Sequence, residues 1–292
     1  MLKEIIKKTT PHAIKVMRRK YKQHQLNRRI IKYLRNTSEF EELEKKNIIR
    51  NLKKNPLSFF PYDFTKRYNA KEVIVYTDDN NKMKYVIHEN KRLYFKKDWD
   101  EKKIQIYYNS LLLEQDIDSP HRYETADFFV NDDDVVVDAG AAEGNFALSV
   151  VEKVKKLYLF ESDEEWIEAL KATFAQWNEK VEFIRKYVSD SDEGNRITLD
   201  TFLGTRAVNF IKADIEGAEI ALLEGCRNIL FNSEKLKVVM CTYHKKDDSE
   251  NIKQILTNLK FNVEFSKGYM LYFLYDPPVP PYLRKGLIRA VK

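Results

Sequence analysis

From residue 121 onward the chain alternates short β-branched runs with amphipathic stretches, and no other feature restricts its fold as strongly. VVVDA (135–139), LYLFE (157–161), VEFIRKYV (181–188), VNFIKAD (208–214) and KVVMCTYH (237–244) read as strands. NFALSVVEKV (145–154), EEWIEALKATFAQW (164–177), AEIALLEGCRNIL (218–230) and NIKQILTNL (251–259) have helical spacing. This order predicts an α/β fold: a Rossmann-like, doubly wound, mainly parallel sheet with helices on both faces. NVEFS (262–266) and MLYFLY (270–275) read as a closing C-terminal antiparallel hairpin. The remaining PPVPPYLRKGLIRAVK is expected to run over the surface as a Pro-rich basic tail, 277–292.

Upstream the pattern differs. Residues 1–70 read as a basic helical extension, with Ile14, Met17, Tyr21, Leu26, Ile30 and Leu34 at helical spacing and Pro11 opening the first helix. Residues 71–120 read as a small β-meander and lead-in, built from VIVYT (73–77), MKYVIH (83–88) and RLYF (92–95). IQIYYNSLLLE (104–114) fits helix or strand. The main domain is then 121–276.

Charge divides the chain the same way. Residues 1–35 hold 12 Lys or Arg and one acid, Glu4, so 39 basic and 44 acidic residues remain for the rest. Against a total of +6, the body is mildly acidic. The basic arm has three readings: a helical cap packing its apolar stripe on the body, peripheral contact with an anionic membrane through residues 1–35, or nucleic-acid binding. Nucleic acid is not favoured, because the acidic body continues no phosphate track. Cys226 and Cys241 lack metal-ribbon spacing, and the two suit a reducing compartment. With no apolar run of bilayer length and no apolar leader, the chain reads as cytoplasmic.

Gly140 and Gly144 follow the first strand directly in a chain with only eight glycines. A strand running into such a turn brings backbone N–H groups to a ligand. The full dinucleotide pattern is absent, since Ala142 stands between the glycines. Asp138 before the turn and Glu143 within it disfavour a diphosphate and suit a ligand with sulfonium and ammonium charges. Glu161, ending the second strand, is placed to accept both ribose hydroxyls. NAD enzymes share that acid, but the small, acidic first turn tilts the reading to S-adenosylmethionine. Asp138, Gly140, Ala141, Glu143, Gly144, Asn145 and Glu161 are the candidate cofactor residues.

These segments resemble the FkbM-type family of class I S-adenosylmethionine-dependent methyltransferases. VVVDAGAAEGNFALS, LYLFESDEEW, ITLDTF (197–202) and above all FIKADIEGAEIALLEG (210–225) carry the resemblance, over roughly 121–275. It implies a methyltransferase, with O-methylation of a sugar or glycoconjugate hydroxyl as the expected reaction and Ser189 in YVSD beside the adenine. Ala142 replaces the family's usual Asn, Ser162 its Pro, and TYH (242–244) its acid-x-His. That last change weakens the transfer of any detailed catalytic or metal role.

KADIEGAE (212–219) supplies the candidate reaction centre. Asp214 at a strand end opens onto the ligand crevice and counts as both catalytic and cofactor-binding. His244 ends the fifth strand and is suited to accept a hydroxyl proton. Glu216 and Glu219 have the blander role of complementing a helix dipole. No metal is expected. His121 and Arg122 in SPHRYE (119–124) are placed to clamp a cofactor carboxylate or simply to start a helix. DPPV (276–279) lacks the aromatic that base flipping needs. Two other classes stay open: a non-catalytic nucleoside-binding or regulatory protein on the same fold, and a nucleic-acid methyltransferase using the basic arm.

Overall fold

The computed structural model describes residues 12–273 and 279–292, with side chains from residue 21 onward. It divides into two compact units, one of residues 1–63 with 271–283 and one of residues 64–270 with 284–292.

In the smaller unit, helices α1 (His12–Asn36) and α2 (Glu42–Lys54) lie against one another. Ile30, Leu34, Ile48 and Leu52 are buried, at the helical spacing seen in the sequence. Asn27 Nδ2 donates to the Leu52 carbonyl at 2.6 Å, and Lys45 Nζ to the Thr37 carbonyl at 2.7 Å. Pro11, expected to open α1, lies outside the described residues. No helix of the described residues is long and apolar enough to cross a membrane.

The larger unit begins with a three-stranded antiparallel meander, β1 (Tyr76–Thr77), β2 (Lys84–His88) and β3 (Lys91–Tyr94). The ambiguous stretch at 104–114 is helical: α3 (Glu101–Glu114) starts at Asp100, whose side chain accepts the Lys103 N–H. Its core strand–helix sequence is β4 (Val135–Ala139), α4 (Asn145–Val150), β5 (Lys156–Phe160), α5 (Glu164–Thr173) and β6 (Val181–Ile184). Short strands β7 (Tyr187–Val188) and β8 (Arg196–Ile197) and helix α6 (Leu199–Leu203) follow, then β9 (Phe210–Ala213). Helices α7 (Glu219–Gly225) and α8 (Arg227–Asn232) lead to β10 (Lys237–Cys241), α9 (Asp248–Asn258) and β11 (Asn262–Phe265). The chain ends with β12 (Met270–Leu271), β13 (Leu283–Arg284) and β14 (Leu287–Val291).

The predicted doubly wound sheet is present, with strand order β11-β14-β10-β9-β4-β5-β6. Neighbours from β6 to β10 pair in parallel, and β14 pairs antiparallel with both β10 and β11. Alternation along β4 sends Val136 into one apolar layer and Val137 and Ala139 into the other. Helices α3, α4 and α5 cover the first layer, and α6 to α9 the second.

The closing strand differs from expectation. Among the described residues MLYFLY does not pair with NVEFS; the antiparallel partner of β11 is LIRAV, from the segment read as a surface tail. Leu287, Ile288 and Ala290 are fully buried. Inserting β14 between β10 and β11 satisfies both its edges and buries its apolar side chains, an outcome that its prolines and basic neighbours hid. Two other elements split. VEFIRKYV breaks after Ile184, and the helix at 218–230 breaks at Cys226. DPPV and the end of MLYFLY fall largely outside the described residues.

Candidate functional site

After β4 the chain turns to β5 on one side, and after β6 and its short successors it returns to β9 on the other. The crevice at the carboxyl ends of β4 and β9 is therefore the topological switch point, where open α/β sheets bind ligands. A cleft of about 760 Å³ opens there. Its wall includes Gly140, Ala141, Glu143, Asn145, Glu161, Ser189 and Asp214 of the sequence-predicted set. Asp138, Gly144 and His244 are not on it.

Close backbone approach shapes the β4 turn. Gly140 has φ +77, and a Cβ there would lie 1.9 Å from the Asp214 carbonyl oxygen. Only glycine satisfies both constraints. Ala142 also adopts a left-handed conformation, at φ 45, without that freedom. Gly144 donates its N–H to the Ala141 carbonyl and backs onto Leu170 and Phe174, so it shapes the start of α4 rather than the wall. Asp138 faces the interior. It is 1% exposed, and its Oδ1 lies 2.9 Å from Nζ of Lys212, itself buried. Lys212 Nζ also donates to the Gly140 carbonyl at 2.8 Å, tying β9 to the turn. Burial raises the Asp138 pKa while Lys212 opposes the rise. Burial alone would lower Lys212, but Asp138 and Asp214 outweigh it and raise its pKa.

At the β5 end, Glu161 Oε2 accepts the Ala142 N–H at 3.0 Å and Oε1 accepts the Asp163 N–H at 2.7 Å. Both oxygens are thereby oriented, each with a lone pair left over for a ligand. Ser189 follows β7, and its N–H donates to the Ile197 carbonyl.

Opposite the turn, Asp214 is the hub of a polar cluster. Its Oδ2 accepts from Tyr123 Oη at 3.0 Å and lies 3.6 Å from His121 Nε2. Its Oδ1 lies 3.6 Å from His244 Nε2. Burial would raise the Asp214 pKa, but His121, Lys212, His244 and Tyr123 together hold it below the ordinary value. His244 Nδ1 sits 2.8 Å from Oε1 of Glu219, which is fully buried. Burial lowers the His244 pKa, and the Glu219 contact outweighs burial, so the net direction is upward. Glu219 thus does more than the dipole role expected of it: it accepts the Ile215 N–H and anchors His244. Buried His121, beside Cys241 Sγ at 3.4 Å, is pushed down to about 4 by burial. The Arg122 guanidinium donates to the Gln115 and Glu124 carbonyls, which leaves it no clamping role on the wall.

Sequence reasoning missed the wall supplied by α3. Tyr107, Ser110, Leu111 and Glu114 face the cleft together with Tyr123 and Tyr243. Tyr107 Oη donates to Glu143 Oε2 at 2.7 Å. Burial pushes the Glu143 carboxyl up to about 7. Periodicity in IQIYYNSLLLE, once assigned to helix, would have placed 107, 111 and 114 on one face. Among the described residues, two groups bring metal-capable atoms within 4.8 Å of one another: Asp214, Glu219 and His244, and His121, Asp214 and Cys241. Hard oxygen donors with one imidazole suit a divalent ion in the first group, whereas Glu219 already engages its histidine.

Residues 189–269 match the family model described as the methyltransferase FkbM domain. No curated protein matches the chain. Among solved structures, similarity extends to the methyltransferase FkbM from Methylobacillus flagellatus KT, at 15% identity and TM-score 0.47 over 65% of this chain and 53% of that one. The chain thus spans about half the length of that protein. An rRNA methylase from Streptococcus thermophilus aligns at 18% identity and TM-score 0.39, over 56% of this chain and 89% of its own. SMU.1697c, a putative methyltransferase from Streptococcus mutans in complex with SAH, aligns at 15% identity and TM-score 0.35, over 64% and 97%.

Proposed function

With residues 189–269 matching an FkbM methyltransferase domain, we propose that the protein transfers a methyl group from S-adenosylmethionine to a hydroxyl of a small acceptor such as a sugar. The observation that carries this reading is the juxtaposition of two differently built walls in one cleft. One is the backbone turn at Gly140, with oriented Glu161 beside it. The other is the Asp214 carboxylate with histidines on either side.

The residues present fit the cofactor. The cleft has the size of a small-molecule site, roughly 300–1,000 Å³, and Gly140 lets the turn pack directly against the Asp214 backbone at its wall. Glu161 would hold the ribose hydroxyls, Ser189 the adenine side, and Glu143 and Asn145 the amino-acid end. When bound, the cofactor supplies an electrophilic methyl carbon. The chain's own groups provide position and proton acceptance. Tyr123 fixes one Asp214 oxygen, leaving Oδ1 toward His244. With Nδ1–H donated to Glu219, the neutral His244 ring has its lone pair on Nε2, facing Asp214. Asp214 lies on the wall and receives the acceptor hydroxyl, and the proton passes to the Asp214–His244 pair.

Methyl-labelled S-adenosylmethionine incubated with hydroxylated small molecules tests this reading. Label appearing in alkali-stable methyl ethers supports it. Label found only in amines, or in RNA added alongside, rejects hydroxyl transfer.

A further inference from the structure

Every carboxylate on the cleft wall except Glu114 has a partner among the described residues. Glu143 accepts from Tyr107, and Glu161 accepts two backbone N–H groups. Asp163 pairs with Lys96, Asp214 accepts from Tyr123, and Glu216 lies 3.6 Å from His244. Glu114, half-buried, ends α3, and its side chain has neither a hydrogen bond nor an ion pair among the described residues. It also sits at the negative end of its helix dipole. Burial, then Asp214 and Glu143, push its carboxyl up to about 8. The cations on the wall relieve it only in part, with Lys212 opposing the rise. Lys212 is committed to Asp138 and the Gly140 carbonyl, and Arg196 pairs with Glu193. Lys186 lies beyond β6, beside Tyr187 and Ser189 on the far wall. Three phenol rings, those of Tyr107, Tyr123 and Tyr243, complete this end of the cleft.

We propose that the α3 end of the cleft takes an acceptor carrying a protonated amine beside its hydroxyl, and that Glu114 determines this specificity. The inference rests on the methyltransferase reading and narrows its substrate class. A cation placed here supplies the partner that the Glu114 carboxyl lacks among the described residues, and the aromatic faces favour it further. A phosphate or carboxylate would meet the ionised Asp214 carboxylate and raised neighbouring acids in a partly desolvated space. The nucleic-acid reading is disfavoured by the same argument.

The test is calorimetry on the protein saturated with S-adenosylhomocysteine. Matched probes are glucosamine and galactosamine, their N-acetyl forms, and glucose 6-phosphate. The free amines should bind about tenfold or more tightly than their N-acetyl partners, with the phosphate weakest. Glu114→Gln should erase that preference and leave S-adenosylhomocysteine affinity within about threefold, which also shows that the variant is folded. Equal binding of amine and N-acetyl forms, binding of no probe, or a preference that survives in Glu114→Gln overturns the proposal. So does a selective loss of S-adenosylhomocysteine affinity in that variant, since Glu114 would then serve the cofactor. If S-adenosylhomocysteine itself fails to bind the unaltered protein, the parent reading falls too, and the first titration reveals it.

Discussion

The two ends of the cleft are built from different materials. At the β4 turn, backbone does the work: Gly140 packs against the Asp214 carbonyl, and Glu161 is held by two N–H groups. At the Asp214 end, ionisable side chains crowd together, with His121, His244, Glu219 and Lys212 all buried. The first end is shaped mainly by sterics, with Glu143 as its one strongly shifted acid. The second is an electrostatic balance in which each charge shifts its neighbours. The proposed cofactor site and the proposed site for a reacting hydroxyl would call for these two different solutions.

The largest effect that would sharpen this contrast is on turnover. Asp214→Asn should lower kcat by about 10²–10⁴-fold and S-adenosylhomocysteine affinity far less. Steady-state kinetics beside a binding titration checks it, and equal losses in both would merge the two ends into one. Gly140→Ala is the counterpart on the other side. The added methyl collides with the backbone of Asp214, so about 3 kcal/mol of stability or more should be lost, read from denaturant unfolding.

A smaller effect follows from Glu143, whose carboxyl rises from 4.5 to about 7 through burial. The native state prefers this group protonated. Its contribution is full below about pH 4.5 and is lost as pH rises to about 7. Glu143→Gln should therefore leave stability unchanged near pH 4 and gain about 2–3 kcal/mol at pH 8. His121 has the opposite sign. Depressed to about 4, it costs stability as pH falls from its ordinary 6.5 toward that value. Thermal unfolding across pH measures both. Glu219→Gln removes the group that raises the His244 pKa, so the acid limb of the pH–rate profile should move to lower pH. The smallest change is at Ala142, left-handed at φ 45. Ala142→Gly should stabilise the protein by about 0.5–1 kcal/mol.

Legibility in the sequence followed the same division. The β4 turn was readable because two of the few glycines fall straight after an apolar run, and Asp214 because it ends the next central strand. Glu161 was readable from its strand end. The support behind these residues was not. Lys212 alternates inward on β9 and looks like any strand lysine until Asp138 is found 2.9 Å away. Tyr107, Glu114 and Tyr123 come from segments far from the turn in sequence, and only the fold brings them to it. His121 was noticed as a clamp, yet it packs beside Cys241 and Asp214. β14 escaped because LIRAV is short and sits among prolines and basic residues, while the longer MLYFLY offered a more persuasive strand.

The Gly140–Glu161 end is proposed to receive S-adenosylmethionine. Calorimetric titration of the purified protein with S-adenosylmethionine, S-adenosylhomocysteine and NAD tests it directly. The account predicts binding of the first two at about micromolar Kd, lost in Glu161→Ala, with no heat from NAD. Binding of NAD alone, or of none of the three to folded protein, would contradict it.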